Sequence, residues 1–319
     1  MPHKRAAEMA ERIDAPRFDA VSRRMAYPAP AAVLELLKPI TWFPPMWAFG
    51  CGVVSSGVGL QHHWRVAVAG ILLAGPLVCA TSQAVNDWYD REVDAINEPN
   101  RPIPSGRIPG RWGLYIGCAW TVLSVLVAAT LGRWVFIAAV VGLGLAWAYS
   151  APPLRLKRNG WWGNTACAFS YEGLAWMTGA AAMLGGALPP APSLALAFLY
   201  SAGAHGIMTL NDFKSVRGDR QMGIHSLPVL LGPRRAAECA CLLMALPQAV
   251  VVALLLFWGR PIHACIVIVV LAAQVVLMLR FLRAPAASAV WYSGFGVPLY
   301  VLGMLASAFA VQVFGTIAG

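Results

Sequence analysis

The chain has 319 residues, 59% of them hydrophobic and 12% charged, with a mean hydropathy of +0.63. A soluble domain carries about 25% charged residues, so this composition excludes an ordinary soluble enzyme, a disordered chain and a disulfide scaffold. The net charge of +10, from 24 basic and 14 acidic residues, would raise nucleic acid as a partner for a soluble protein; here it points to a polytopic membrane protein with basic loops, and no nucleic acid is expected.

Residues 1–35 carry charges of both signs and no apolar run of the signal-peptide kind. They are expected to be a cytoplasmic segment, mobile or interfacial, ahead of a single domain over 36–319. Nine apolar segments of membrane-spanning length follow, at 39–60, 66–86, 112–131, 134–150, 161–184, 193–211, 235–258, 262–280 and 289–313. The predicted fold class is all-α, a nine-helix membrane bundle. Gly132-Arg133 divides the third segment from the fourth, because one helix of that combined length would far exceed a bilayer. The seven cysteines lie in or beside apolar stretches without a CxxC pair, and read as packing residues.

With nine spans, the N-terminus and the even-numbered connections share one side of the membrane. That side holds 21 of the 24 basic residues; the other holds Arg65, Arg133 and Arg260. The bias predicts a cytoplasmic N-terminus and a periplasmic C-terminus.

The acids are concentrated. After span two the chain reads NDWYDREVD, with Asp87, Asp90 and Asp94 at i, i+3 and i+7. If the helix continues, this spacing puts all three on one face. Like charges in that arrangement favour a bound divalent cation, and oxygen-only ligands suit Mg²⁺ with substrate phosphate oxygens. After span six, 125 residues on, the chain reads NDFKSVRGD. Asn211 matches Asn86, Asp212 matches Asp87 and Asp219 matches Asp94, as in an internal repeat. Two such clusters facing each other would form one metal site.

Basic residues accompany them. The proline-rich stretch NEPNRPIPSGRIPGR carries Arg101, Arg107 and Arg111; YSAPPLRLK carries Tyr149, Arg155 and Lys157; the second acidic loop carries Lys214, Arg217 and Arg220. Arginine presents a planar fork suited to phosphate. Acids for a metal beside cations for an anion imply a bound diphosphate. Glu172 lies inside span five, where an unpaired charge costs about 2.5–3.5 kcal/mol, and is expected to be protonated, paired or facing a substrate cavity. His205 lies seven residues before Asp212, about two turns deeper on a similar face. It reads either as a pigment contact or as a packing histidine.

NDxxDxxxD, the second motif, YSxPP and nine spans together resemble the UbiA superfamily of intramembrane prenyltransferases. NDWYDREVDAINEPNRPIPSGRI, NDFKSVRGDRQMGIHSLPVLLG and LLKPITWFPPMWAF are similar to its chlorophyll and bacteriochlorophyll synthase branch. The resemblance implies a bundle with a lipid-accessible cavity, and esterification of the C17 propionate of bacteriochlorophyllide or chlorophyllide with a geranylgeranyl or phytyl diphosphate. It implies Mg²⁺ as cofactor and a location in the inner or intracytoplasmic photosynthetic membrane. By resemblance, Asn86, Asp87, Asp90, Asp94, Asp212 and Asp219 fall at metal-diphosphate positions. Arg101, Tyr149, Ser150, Lys157 and Lys214 fall at positions that support them or bind phosphate. Asn211, Arg220, Glu172 and His205 complete the expected substrate-binding set. Arg217 departs from the branch pattern, which is acidic there. Other readings stay open: a UbiA-type enzyme acting on an aromatic acid or haem, a non-catalytic pigment carrier, or a transporter, although a transporter's acids belong at the midplane.

Overall fold

The computed structural model describes residues 27–316, which are helical apart from loops and one isolated bridge between Asn159 and His225. Residues 1–26 of the expected N-terminal segment lie outside the described residues. The expected boundary at residue 36 falls inside a helix, α1 (Pro30–Leu37), whose Ala32, Leu36 and Leu37 are buried against Ala80, Ala84, Ile108 and Ile116. Burial of those three side chains fixes α1 on the bundle.

The membrane helices follow the apolar pattern, with displaced ends. The segment expected at 39–60 yields only α2 (Phe43–Ser55). Lys38 takes a left-handed conformation, Pro39–Thr41 makes one 3₁₀ turn, and Gly57 turns the chain out with φ 71°. The segment expected at 66–86 grows into α3 (Leu60–Asn97). Nothing breaks helix geometry before Glu98-Pro99, and Pro76 is absorbed in a π-helical stretch, Leu73–Cys79. At ~57 Å, α3 is far longer than a bilayer core is thick, so its last turns project beyond it. Next come α4 (Trp112–Thr130) and α5 (Arg133–Ser150), separated where Gly132 has φ 110°. Helix α6 covers 160–183 and also contains a π stretch, Phe169–Leu174. Then follow α7 (Ala191–Asp212), the short α8 (Val216–Gln221) and α9 (Leu227–Leu231), α10 (Pro233–Phe257), α11 (Pro261–Phe281) and α12 (Pro285–Thr316).

Among the described residues, seven helices (α3, α4, α5, α7, α10, α11 and α12) are long and apolar enough to cross a membrane. Phe198, Leu242, Leu246, Val269, Val276 and Leu279 point outward from them. Such a contiguous apolar exterior belongs against lipid. The chain is a multi-pass membrane protein.

Two halves differ in packing. In one, α2, α6, α7 and α10–α12 share an aromatic core. Trp176 stacks on Tyr200, and Tyr200 meets Tyr300 edge-on. Three of its polar tips are satisfied: Trp176 Nε1 donates to Ser55 and Ser193, Tyr200 pairs with Ser307, and Tyr300 donates to the Tyr200 carbonyl. Gln248 on α10 donates to Gln274 on α11 at 2.7 Å, an interhelical link of the kind that joins membrane helices. In the other half, α3, α5 and α6 stand apart around a cavity.

Candidate active site

The first acidic motif lies on the projecting end of α3, and its carboxylates face two ways. Asp87 is buried; Lys38 Nζ donates to its Oδ1 at 2.6 Å. Arg101 Nη1 lies 2.9 Å from Asp94 Oδ2 and 3.4 Å from Asp87 Oδ1, so one guanidinium links two turns of the helix. Asp90 turns away from Asp87, toward Lys157 Nζ at 2.5 Å and Arg155 Nη2 at 3.3 Å. Arg101 is steered by its loop. Its Nε also donates to Glu98, and Arg107 in the same loop makes a bidentate pair with Glu35 of α1.

The second motif behaves differently, because α7 ends at Asp212 whereas α3 runs on to Asn97. Asn164 Nδ2 donates to Asp212 Oδ2 at 2.9 Å. Asp219, on α8, accepts from Ser215 Oγ at 3.0 Å and Ser226 Oγ at 2.7 Å. The bridge between Asn159 and His225 ties this loop to the start of α6 through Gly160 N–H to His225 O and His225 N–H to Arg158 O.

These groups line a mouth of about 380 Å³. Asn86, Asp90 and Asp94 stand on one bank, Asp212 and Asp219 on the other, with Arg101, Tyr149, Lys157 and Asn164 between. Burial pulls the Lys157 ammonium below the ordinary lysine range, against the pull of Asp90. Burial also penalises the Arg101 guanidinium, but Glu98, Asp87 and Asp94 outweigh it and hold its pKa above the ordinary value.

Below the mouth an apolar cavity of about 180 Å³ runs into the membrane half of the molecule, between α3, α5 and α6. Asn86 and Tyr149 line both spaces. Asn86 Nδ2 donates to Ser150 Oγ at 3.3 Å, which anchors this junction.

The structure thus brings Asn86, Asp90, Asp94, Arg101, Tyr149, Lys157, Asp212 and Asp219 together, with Ser150 behind Asn86. Asp87 sits behind the mouth, as the partner of Lys38 and Arg101. Asn211, Lys214, Arg217 and Arg220 are exposed and do not line the mouth. The break after Asp212 rotates the second motif relative to the first, so only part of the repeat superposes in role. Glu172 is buried in the π turn of α6, next to α2 and α7, with Oε2 unpartnered, and does not line the cavity. His205 packs on Trp161, with Nε2 3.3 Å from the Trp161 carbonyl, and is likewise off the cavity wall. Sequence reasoning missed Lys38, Asn164 and Ser226. An asparagine inside an apolar span was the one available signal, for Asn164.

Carboxylates and cations around a mouth, set over an apolar membrane cavity, form a site for an anionic head on a hydrocarbon chain. The chain belongs to the UbiA prenyltransferase family, whose model matches residues 42–301. It is 57% identical over 285 residues to the bacteriochlorophyll synthase 33 kDa chain of Cereibacter sphaeroides, covering 89% of this chain and 94% of that one. It is 39% identical over 292 residues to the chloroplastic chlorophyll synthase of Oryza sativa subsp. japonica, covering 88% and 76%. In fold it is similar to a UbiA homologue from Archaeoglobus fulgidus solved bound to DMAPP and Mg²⁺, with a TM-score of 0.68 at 20% identity, covering 88% and 99%.

Proposed function

We propose that this protein is an Mg²⁺-dependent prenyltransferase that esterifies the C17 propionate of bacteriochlorophyllide with a C20 prenyl diphosphate and releases diphosphate. The observation that carries this reading is the junction at Asn86 and Tyr149, where a charged mouth meets an apolar cavity. The bacteriochlorophyll synthases among its relatives supply the pigment. Nine spans, a cytoplasmic N-terminus and placement in the inner or intracytoplasmic photosynthetic membrane belong to the same reading. Its catalytic unit includes α1 and the helices after it.

The mouth fits Mg²⁺. Its donors are oxygens from Asn86, Asp90 and Asp94 on one bank and Asp212 and Asp219 on the other. Among the described residues no three His, Cys, Asp or Glu side chains form a ready cage. Mg²⁺ typically takes one or two carboxylates and completes its shell with substrate phosphates. When bound, it would supply Lewis-acid neutralisation of the diphosphate.

The chain's own residues account for the rest. Lys157, Arg155 and Arg101 sit beside the carboxylates and can exchange them for phosphate oxygens as the leaving group gains charge. Asn86 and Tyr149 hold the boundary at which head and chain part. The apolar walls exclude water, which would otherwise capture the allylic carbon and give the free alcohol. The attacking propionate is ionised near neutral pH, with a carboxyl pKa near about 4, so no general base is required.

Purified protein with bacteriochlorophyllide, geranylgeranyl diphosphate and Mg²⁺ should give esterified pigment, and a chelator should stop the reaction. Prenylation of a phenolic acid with no product from any chlorophyllide would overturn the pigment assignment.

A further inference from the structure

The cavity below the mouth is apolar over most of its wall, but one band is not. Gln83 lines it three residues before Asn86 on α3, one turn and about 4.5 Å deeper. Tyr171 lines it from α6. The two meet: Gln83 Nε2 donates to Tyr171 Oη at 3.0 Å, and Cys79 Sγ donates to the same oxygen at 3.4 Å. Both contacts use lone pairs of the phenol, so its own O–H is left to give. The Gln83 amide has a second N–H as well. Two irregular turns come together here. Cys79 closes the π stretch of α3, and Tyr171 lies in the π stretch of α6. Such turns recur at functional sites.

A hydrocarbon chain has no use for a free O–H and N–H, and leaving them bare against it costs free energy. A carboxylate needs them, because on entering an apolar cavity it must trade its water for hydrogen bonds. Among the described residues no Lys, Arg or His lines this cavity. Neutral donors hold a carboxylate without cancelling its charge, so it stays a nucleophile. The position also fits. Head and chain part at Asn86 and Tyr149, which puts prenyl C1 beside that boundary. The attacking oxygen must come within about 3–3.5 Å of C1, on the side away from the diphosphate. One turn below Asn86 is that side.

We propose that Gln83 and Tyr171 hold the carboxylate of the acceptor, the Tyr171 O–H and a Gln83 N–H binding one oxygen and leaving the second to attack. The proposal rests on the prenyl-transfer reading above. A lone pair of the second oxygen forms the bond to C1 as the C1–O bond to diphosphate breaks, and that bond's electron pair leaves with the diphosphate. No proton moves, so both side chains keep theirs.

The test compares binding of bacteriochlorophyllide and of its C17-propionate methyl ester to wild type, Tyr171→Phe and Gln83→Leu in detergent. Binding of geranylgeranyl thiolodiphosphate with Mg²⁺ is measured in parallel. Phenylalanine keeps the ring on the cavity wall, so Tyr171→Phe decides the matter if Gln83→Leu aggregates. Wild type should bind the free acid at least about tenfold more tightly than the ester, the scale of a hydrogen bond to a charged group. Each variant should lose most of that preference through weaker binding of the acid, with ester and thiolodiphosphate affinities unchanged. In turnover, each variant should release more free prenyl alcohol per ester formed, because water competes better with a loosely held nucleophile. Equal wild-type affinity for acid and ester, or an undiminished preference in both variants, would overturn the proposal. So would loss of acid, ester and thiolodiphosphate alike, the mark of a purely structural role. If wild type binds the thiolodiphosphate but neither pigment form, the pigment assignment falls and this inference falls with it.

Discussion

At the scale of single residues, charge at the mouth is matched in pairs, and each pair makes a different demand. Asp90 and Asp212 line opposite banks and have no role in packing the bundle core. Asp90→Asn and Asp212→Asn should each lower turnover by about 10²–10³-fold, the scale for removing one electrostatic contact to a developing charge. Ester yield at matched protein, with unchanged elution in detergent, checks this. Lys38 differs, because its partner Asp87 is buried at 2% exposure. Lys38→Met leaves that carboxylate with Arg101 alone and should cost about 3 kcal/mol, near the lower end for breaking a buried pair. Thermal unfolding in detergent should show the loss, and Lys38→Met with Asp87→Leu should recover most of it. The acidic motifs were legible in the sequence because so few acids exist to choose among. Lys38 was not, since its importance depends on a left-handed turn 49 residues from its partner. Lys214 and Arg220, expected to bind substrate, are exposed and off the mouth because the chain turns after Asp212.

At the scale of elements, the bundle depends on backbones that nearly touch. A Cβ on Gly179 of α6 would collide with the Phe49 carbonyl of α2, and one on Gly52 with the Trp176 carbonyl. Small residues at such crossings let membrane helices approach closely. Gly179→Val cannot be relieved by a rotamer change and should cost about 1–3 kcal/mol or more. The expected readout is a lower unfolding temperature and less monodisperse protein. Helix positions were readable from the apolar runs, and Gly132 divided α4 from α5 as its place between two such runs suggested. Helix ends were not. Pro76, inside the expected span 66–86, sits in a π turn rather than ending the helix, while α2 lost residues at both ends to the turn at Lys38 and to Gly57. The carbonyls of such an irregular turn need donors from outside the helix's own ladder. Here the Pro76 carbonyl takes a hydrogen bond from Trp120 Nε1 at 3.1 Å.

At the scale of the whole molecule, the charges divide the protein into a wet end and a lipid body. The connections bearing the mouth, 87–111, 151–160 and 212–235, carry 12 of the 24 basic residues, and the positive-inside rule supports the proposed cytoplasmic placement of the mouth. In a chain stripped of its seven cysteines, a cysteine at Ser105 should react with an impermeant maleimide only from the cytoplasmic side. One at Pro189, between α6 and α7, should react only from the opposite side. The reverse pattern would invert the proposed orientation. The paired mouth has a further consequence, for ligand order. Lys157, Arg155 and Arg101 already neutralise the first-motif acids, so Mg²⁺ arriving alone strands those cations, and a diphosphate arriving alone strands the carboxylates. Arriving together, the two swap partners and leave the local charge balanced. On the function proposed above, each ligand should therefore raise the affinity for the other by the same factor.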